Sequence, residues 1–203
     1  QAIGVLARYG IAVILGTPTA TPPAWLCQRY PEIMRVGRDG RRVAFGMRRQ
    51  YCATNPAYRA LSRGIVEAMA KHYADHPAVV GWQIDNEFGC HDSTRCYCPA
   101  CQSAFQAWAQ RRYGNLAALN DAWGARFWSH VYTSWSQIPL PTDAVGVSNP
   151  CLELDYWRFA SEQTVAYQQA QVDALRALCP EHSVTTNMMG FGFQDINYYE
   201  LAR

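Results

Sequence analysis

The sequence predicts an α/β chain, part of a (β/α)8 TIM barrel. Three observations predict it. Short apolar runs alternate with helical periodicities in the order strand, helix, strand, helices, strand, and a helix between two strands makes them parallel. The long polar or aromatic connections follow the C-terminal ends of strands, whereas the opposite ones, at His76-Pro77 and Cys179–His182, are short. The second strand ends in Gln83, Asp85, Asn86 and Glu87, where a buried parallel strand should be nearly all apolar. A doubly wound sheet shares the loop asymmetry. A complete barrel takes eight strands and about 250 residues. Only three strands are legible in 203 residues, so residues 1–203 read as one incomplete catalytic-barrel domain with no second domain.

The chain opens on QAIGVLARYG, a helix end with Gly10 as its C-cap, and has no initial Met, so a fragment is expected. Ile11–Leu15 is the first strand, stopped by Gly16-Thr17-Pro18. A Pro-rich loop, TPTATPPAW, follows, and then a polar stretch from Arg35 to Thr54. Asn55-Pro56 starts a helix whose apolar positions are Tyr58, Leu61, Ile65, Met69 and His72-Tyr73. His76-Pro77 ends it. Val79–Asp85 is the second strand. Helices over Ala100–Tyr113 and Leu116–Trp123 close at Gly114 and Gly124. Residues 125–148 form an aromatic-rich loop. A long helix runs from Asn149-Pro150 to Leu178 with the stripe Leu152, Tyr156, Phe159, Tyr167, Ala174, Leu175 and Leu178. Ser183–Asn187 is the third strand.

With 49% apolar residues the chain can bury a real core. Its net charge of +2 is scattered, with no basic stripe for nucleic acid. The run Ile11–Leu15 is too short to span a bilayer, and no signal peptide is visible.

Alternation over Val79–Glu87 puts Gln83, Asp85 and Glu87 on one face. Burying that many polar groups is costly unless they are paired or used, and the mouth of a barrel supplies a use. A Glu at a strand end suits glycoside hydrolysis, where a carboxylic acid protonates the leaving oxygen. The Asn86 amide can bind the sugar's 2-hydroxyl. Trp25, Trp123, Trp128 and Trp135 can stack on sugar rings, although core packing is the simpler role for each. Retention of configuration needs a second carboxylate about 5 Å away. Asp85 sits two residues back on the same face, so it supports Glu87 from behind. Asp92, Glu153, Asp155, Asp195 and Glu200 fall in loops or helices, and the nucleophile is expected beyond Arg203.

Cys96-x-Cys98-x-x-Cys101 offers three soft ligands in one turn, and structural zinc takes four in a tetrahedron. Cys52, Cys27, Cys90 and His91 are all candidates for the fourth. Cys151 and Cys179, at the two ends of the long helix, suit the core. Thiols clustered in a large apolar chain point to metal and a reducing compartment. A closed four-thiolate site cannot activate water, so the metal would pin the long loop inserted after Glu87.

Over GTPTATPPAWL, GRRVAFGMRRQYC, HPAVVGWQIDNEFGCH, CYCPAC, LNDAWGARFWSHVYTSW and VTTNMMG the chain resembles the glycoside hydrolase family 42 β-galactosidases. The resemblance implies a retaining enzyme acting on terminal β-D-galactosides, with strands three to five of the barrel present. Glu87 matches the acid/base at the end of the fourth strand, with Asn86 beside it. Arg48 matches a residue that binds sugar hydroxyls, and Trp128 one that lines the galactose pocket. Cys52, Cys96, Cys98 and Cys101 match the zinc ligands. The family's nucleophilic Glu, at the end of the seventh strand, has no counterpart here. Gln50 and Ala53 stand where His and Pro are more usual. The resemblance also implies a cytoplasmic homotrimer. Two rival readings are a related glycosidase for an arabinopyranoside or fucoside, and a non-catalytic zinc-stabilised binding module. The module explains the thiols but not Asn86-Glu87 at a strand end.

Overall fold

A computed structural model describes residues 2–143, 148–190 and 193–203. Helix α1 (Ala2–Arg8) leads through Gly10, at φ 68°, into strand β1 (Val13–Gly16). Helix α2 (Ala24–Arg29) and a long loop precede α3 (Pro56–Tyr73), which is capped by the Asn55 side chain on the Tyr58 amide. Strand β2 (Val79–Gln83) is followed by α4 (Pro99–Tyr113) and α5 (Leu116–Ala122). The 29-residue α6 (Pro150–Leu178), β3 (Ser183–Thr185) and α7 (Tyr198–Leu201) complete the chain.

The three strands form one parallel sheet in sequence order, β1-β2-β3. Helices α3 and α6 lie on the two crossovers and pack against each other, so both cover the same side of the sheet. That is the one-sided winding of a barrel wall; a doubly wound sheet sets helices on both faces. Gly81 holds the centre of the arc. A Cβ there would come within 2.9 Å of the Ser183 carbonyl oxygen, so only glycine lets β3 approach this closely.

The residues divide between two cores. The first lies under the sheet, with Trp82, Ile84, Tyr58, Val66, Tyr167 and Leu175. The second gathers Phe105, Trp108, Leu119, Trp123, Tyr156 and Phe159 around the thiols. Helix α6, about 43 Å long at 1.5 Å per residue, enters both.

The expected stripe of α6 is buried from Leu152 to Leu175, with Leu178 half-buried. That of α3 is only partly buried: Leu61, Met69 and Tyr73 pack half-buried against the first core, while the fully buried positions after Tyr58 lie one residue on. Tyr58 is buried as expected, but the other buried residues are Ser62, Val66 and Ala70, and Ile65 is exposed. Small side chains let α6 come close, and the Ser62 hydroxyl hydrogen-bonds Tyr167 Oη at 2.9 Å. Two short helices, α2 and α7, were not expected from sequence. The aromatic-rich loop contains helical turns at Phe127–Ser129 and Trp135–Gln137; residues 144–147 lie outside the described residues.

Candidate active site and thiol cluster

Past Gln83 the chain leaves the pleat. Ile84 still donates its N–H to Thr185 at 2.7 Å, but Asp85 and Glu87 adopt left-handed conformations at φ 54° and φ 49°. The alternation expected over Val79–Glu87 therefore stops at the strand end, and the two carboxylates part. Left-handed non-glycine residues are costly and persist only where their surroundings over-determine them.

Here the surroundings are a buried ion pair. Asp85 takes the Arg49 guanidinium on Oδ1 at 2.5 Å and its neighbour's Asn86 N–H at 2.7 Å. Its Oδ2 accepts from the Thr19 hydroxyl at 2.8 Å and from Tyr51 at 3.0 Å. Behind them Gln171 Oε1 accepts from the Thr17 hydroxyl at 3.0 Å and lies 3.1 Å from Thr19 Oγ1. Arg49 also donates to the Asn86 carbonyl and lies 4.8 Å from the centre of the Phe88 ring. Both charges are buried and paired, the condition under which a buried ion pair is tolerated. Asp85 thus supports the loop from within, through a turned backbone rather than from the same pleated face.

Glu87 faces the other way. Its side chain is 34% exposed, and Oε2 accepts from Arg48 Nη2 at 2.6 Å. Arg48 Nε lies 3.5 Å from His91 Nε2. Arg48 and Arg49 are consecutive, and the left-handed Arg49 (φ 64°) sends one guanidinium outward to Glu87 and the other inward to Asp85. Asn86 sits beside Glu87, its Oδ1 accepting from Asn187 at 3.1 Å. The Glu87 N–H donates to Asn187 Oδ1 at 3.0 Å.

Arg48, Asn86 and Glu87 are therefore gathered in one place. Trp128 is not part of that group: it is 73% exposed, stacks on Phe127, and no hydrogen bond or ring contact among the described residues joins it to Glu87. Of the other tryptophans suggested for stacking, Trp123 is buried and donates Nε1 to Asp155 at 2.9 Å, a core role, whereas Trp25 is exposed. Two wide concavities, of about 730 and 750 Å³, flank α6, and Glu87 lines neither. Three strands make an arc, which cannot enclose a hollow at its mouth.

The remaining carboxylates weighed as partners are occupied elsewhere. Asp92 and Asp195 pair with Arg95, Glu153 with Arg38, Glu200 with Arg203. Asp155 accepts from Tyr113, Trp123 and Arg158. Arg49 and Asn187 were not singled out from sequence, and Gln83 was noted only as a polar residue of the strand end. The signals were present: the doubled arginine in MRRQYC, and an Asn closing β3 as Asn86 follows β2.

Beside this loop, Cys52, Cys96, Cys98 and Cys101 are buried with their sulfurs within 4.8 Å of one another. Cys98 caps α4 and Cys101 lies in its first turn, which sets both thiols on one side. Cys52 Sγ is 3.7 Å from Cys98 Sγ and 3.5 Å from Cys101 Sγ. A disulfide would need about 2.05 Å. Four sulfurs on a tetrahedral zinc at about 2.3 Å stand about 3.8 Å apart, so the donor set fits that ion. Cys27, Cys90 and His91, the other candidates for a fourth ligand, lie outside this group. Val36 N–H donates to Cys96 Sγ at 3.3 Å. Hydrogen bonds from Cys101, Cys52 and Cys96 hold the Cys98 thiol well below its ordinary range, and the proton-holding Cys101 thiol lies well above it. Cys52 comes four residues after Arg48, so the cluster ties the arginine loop to the loop that follows Glu87.

A parallel arc with helices on one side and a carboxylate at the C-terminal end of a strand defines a segment of a (β/α)8 barrel. The sequence model of the beta-galactosidase family, glycoside hydrolase 42, matches residues 1–203, and the chain belongs to that family. It is 52% identical over 203 residues to the beta-galactosidase of Thermus thermophilus, of which it covers 31%. It is 44% identical to beta-galactosidase BglY of Alicyclobacillus acidocaldarius, covering 98% of this chain and 28% of that one. The crystal structure of the beta-galactosidase from the psychrophilic Marinomonas ef1 superposes on 98% of the chain with a TM-score of 0.96 at 42% identity, using 30% of that structure. The chain thus spans about a third of the length of these relatives.

Proposed function

We propose that this chain supplies the acid/base part of a retaining glycoside hydrolase for terminal β-D-galactosides, completed by a nucleophilic Glu from a further barrel strand. Residues 1–203 are then one incomplete catalytic domain. The observation that carries the proposal is Glu87 at the C-terminal end of β2, half open and gathered with Asn86 and Arg48, in a chain whose relatives bear the name beta-galactosidase. Glu87 gives its proton to the departing glycosidic oxygen while the nucleophile attacks the anomeric carbon. It then takes a proton from the water that releases galactose. Arg48, now on Glu87, binds sugar hydroxyls when a substrate displaces that contact. Trp128 lines the galactose pocket, supported by its exposure.

The four cysteines hold zinc as a structural ion. A closed thiolate tetrahedron leaves no position for water, so the ion supplies cross-linking of two loops and no chemistry on the sugar. Eight free cysteines suit a reducing, cytoplasmic setting. No helix among the described residues is long and apolar enough to cross a membrane. The homotrimer implied by the family resemblance is checked by light scattering on the full-length protein.

The test is Glu87→Ala in the full-length protein with azide added. Azide needs no general base, so it should accelerate the variant but not the parent and give a β-galactosyl azide. A variant unaccelerated by azide on a dinitrophenyl β-galactoside, or one as active as the parent on lactose, contradicts the proposal.

A further inference from the structure

We infer that Asn187, at the end of β3, is a positioning residue that fixes the polarity of the Asn86 amide, so that Asn86 presents N–H rather than C=O to the substrate. The inference rests on the function proposed above and deepens it.

The Glu87 backbone N–H can only donate, and it lies 3.0 Å from the side chain of Asn187. The atom of Asn187 facing it must therefore be the carbonyl Oδ1. Gln83 Nε2 donates to the same oxygen at 3.1 Å. The other end of the Asn187 amide is then its NH2 group, which lies 3.1 Å from the side chain of Asn86. An NH2 group needs an acceptor, so Asn86 turns Oδ1 toward it. Gln83 Nε2, 3.5 Å away, supports the same orientation. Asn86 Nδ2 is left with no protein partner among the described residues.

Polarity thus passes from a peptide N–H through one amide to the next. Inverting Asn86 would set its NH2 against that of Asn187, two donors face to face with no acceptor. A donor held this way suits a sugar hydroxyl oxygen beside the anomeric carbon, a contact that strengthens in the transition state. The Asn187 oxygen that accepts the Glu87 N–H is thus the fixed point from which the orientation of the Asn86 donor follows.

The experiment compares the full-length protein with Asn187→Ala, Asn86→Ala and the double variant. Substrates are nitrophenyl β-galactoside and its 2-deoxy counterpart. Asn187→Ala should lower kcat/KM on the galactoside by about tenfold to a hundredfold, mostly in kcat, and on the 2-deoxy substrate by less than about threefold. In the Asn86→Ala background it should cost less than about threefold on either substrate. Equal losses on both substrates, additive losses in the double variant, or an undiminished Asn187→Ala enzyme would overturn the inference. Gln83→Met, which removes one donor from each amide oxygen, should show the same selectivity at smaller size and serves if Asn187→Ala does not fold. Glu87→Ala separates the two ideas. If Glu87 is required and the selectivity is missing, only the role of Asn187 falls; if Glu87 is dispensable, the proposed function falls.

Discussion

Asp85 and Glu87 are two residues apart, each with a carboxylate on a left-handed backbone, and their surroundings are opposite. Asp85 is buried with every oxygen engaged, whereas Glu87 shares one half-open contact with Arg48. Removing Asp85 leaves the Arg49 charge buried and alone, at a cost of about 3–5 kcal/mol. Removing Glu87 breaks a partly exposed pair, at about 0–1 kcal/mol. Thermal melts should therefore show Asp85→Ala lowering Tm far more than Glu87→Ala, and equal shifts would contradict this account. The supporting place of Asp85 was legible in its spacing from Glu87, but the pleat that suggested it was not what the chain uses. Nothing in the sequence marks a left-handed Asp, because the cause is Arg49, which lies 36 residues away in another loop.

Among the elements, the thiol cluster and the tyrosine stack carry the clearest consequences. If the four cysteines hold zinc, the full-length protein should contain about one metal per chain by elemental analysis, and Cys98→Ser should bring this near zero and lower Tm. Unchanged metal in that variant would remove the four-thiolate site. Tyr51 and Tyr58 stack at 4.3 Å beside Tyr167. Burial pushes all three phenols up, with the Asp85 charge adding to it. The folded chain therefore keeps protons that the unfolded chain loses above its ordinary tyrosine pKa of about 10. This contribution is complete below pH ~10 and falls as pH rises further. Tm measured from pH 8 to 11.5 should hold until about pH 10 and then drop; a fall that begins near neutrality would not come from this cluster. Helices with long stripes and Asn-Pro starts were legible, since cap and period agree at α3 and α6. The face of α3 was read one position off because its buried side is set by how closely α6 can approach, which favours Ser62 and Ala70 over Ile65. Helix α2 follows directly on Pro22-Pro23 and was hidden by that Pro-rich stretch, and α7 has only four residues, too short for a period.

At the scale of the molecule, an arc of three parallel strands was readable because loop lengths and strand order are properties of the whole sequence. Which loops meet above the arc was readable only in part. Arg48, Asn86 and Glu87 converge, whereas Trp128, on a loop that packs with the second core, makes no contact with them among the described residues. Strands β1 and β3 each have one unpaired edge, and Ile14 on β1 is exposed. The 203-residue chain expressed by itself should associate through those edges. It should also fail to turn over an aryl β-galactoside; Glu87-dependent turnover by a monodisperse monomer would contradict the arc as the working unit. The most direct measurement is how the loss in Glu87→Ala depends on the leaving group in the full-length protein. A general acid matters most when the departing oxygen is basic. The loss in kcat/KM should therefore be about 10²–10⁴-fold for lactose and close to nothing for a dinitrophenyl galactoside. A loss of the same size for both would show that Glu87 does not protonate the leaving group.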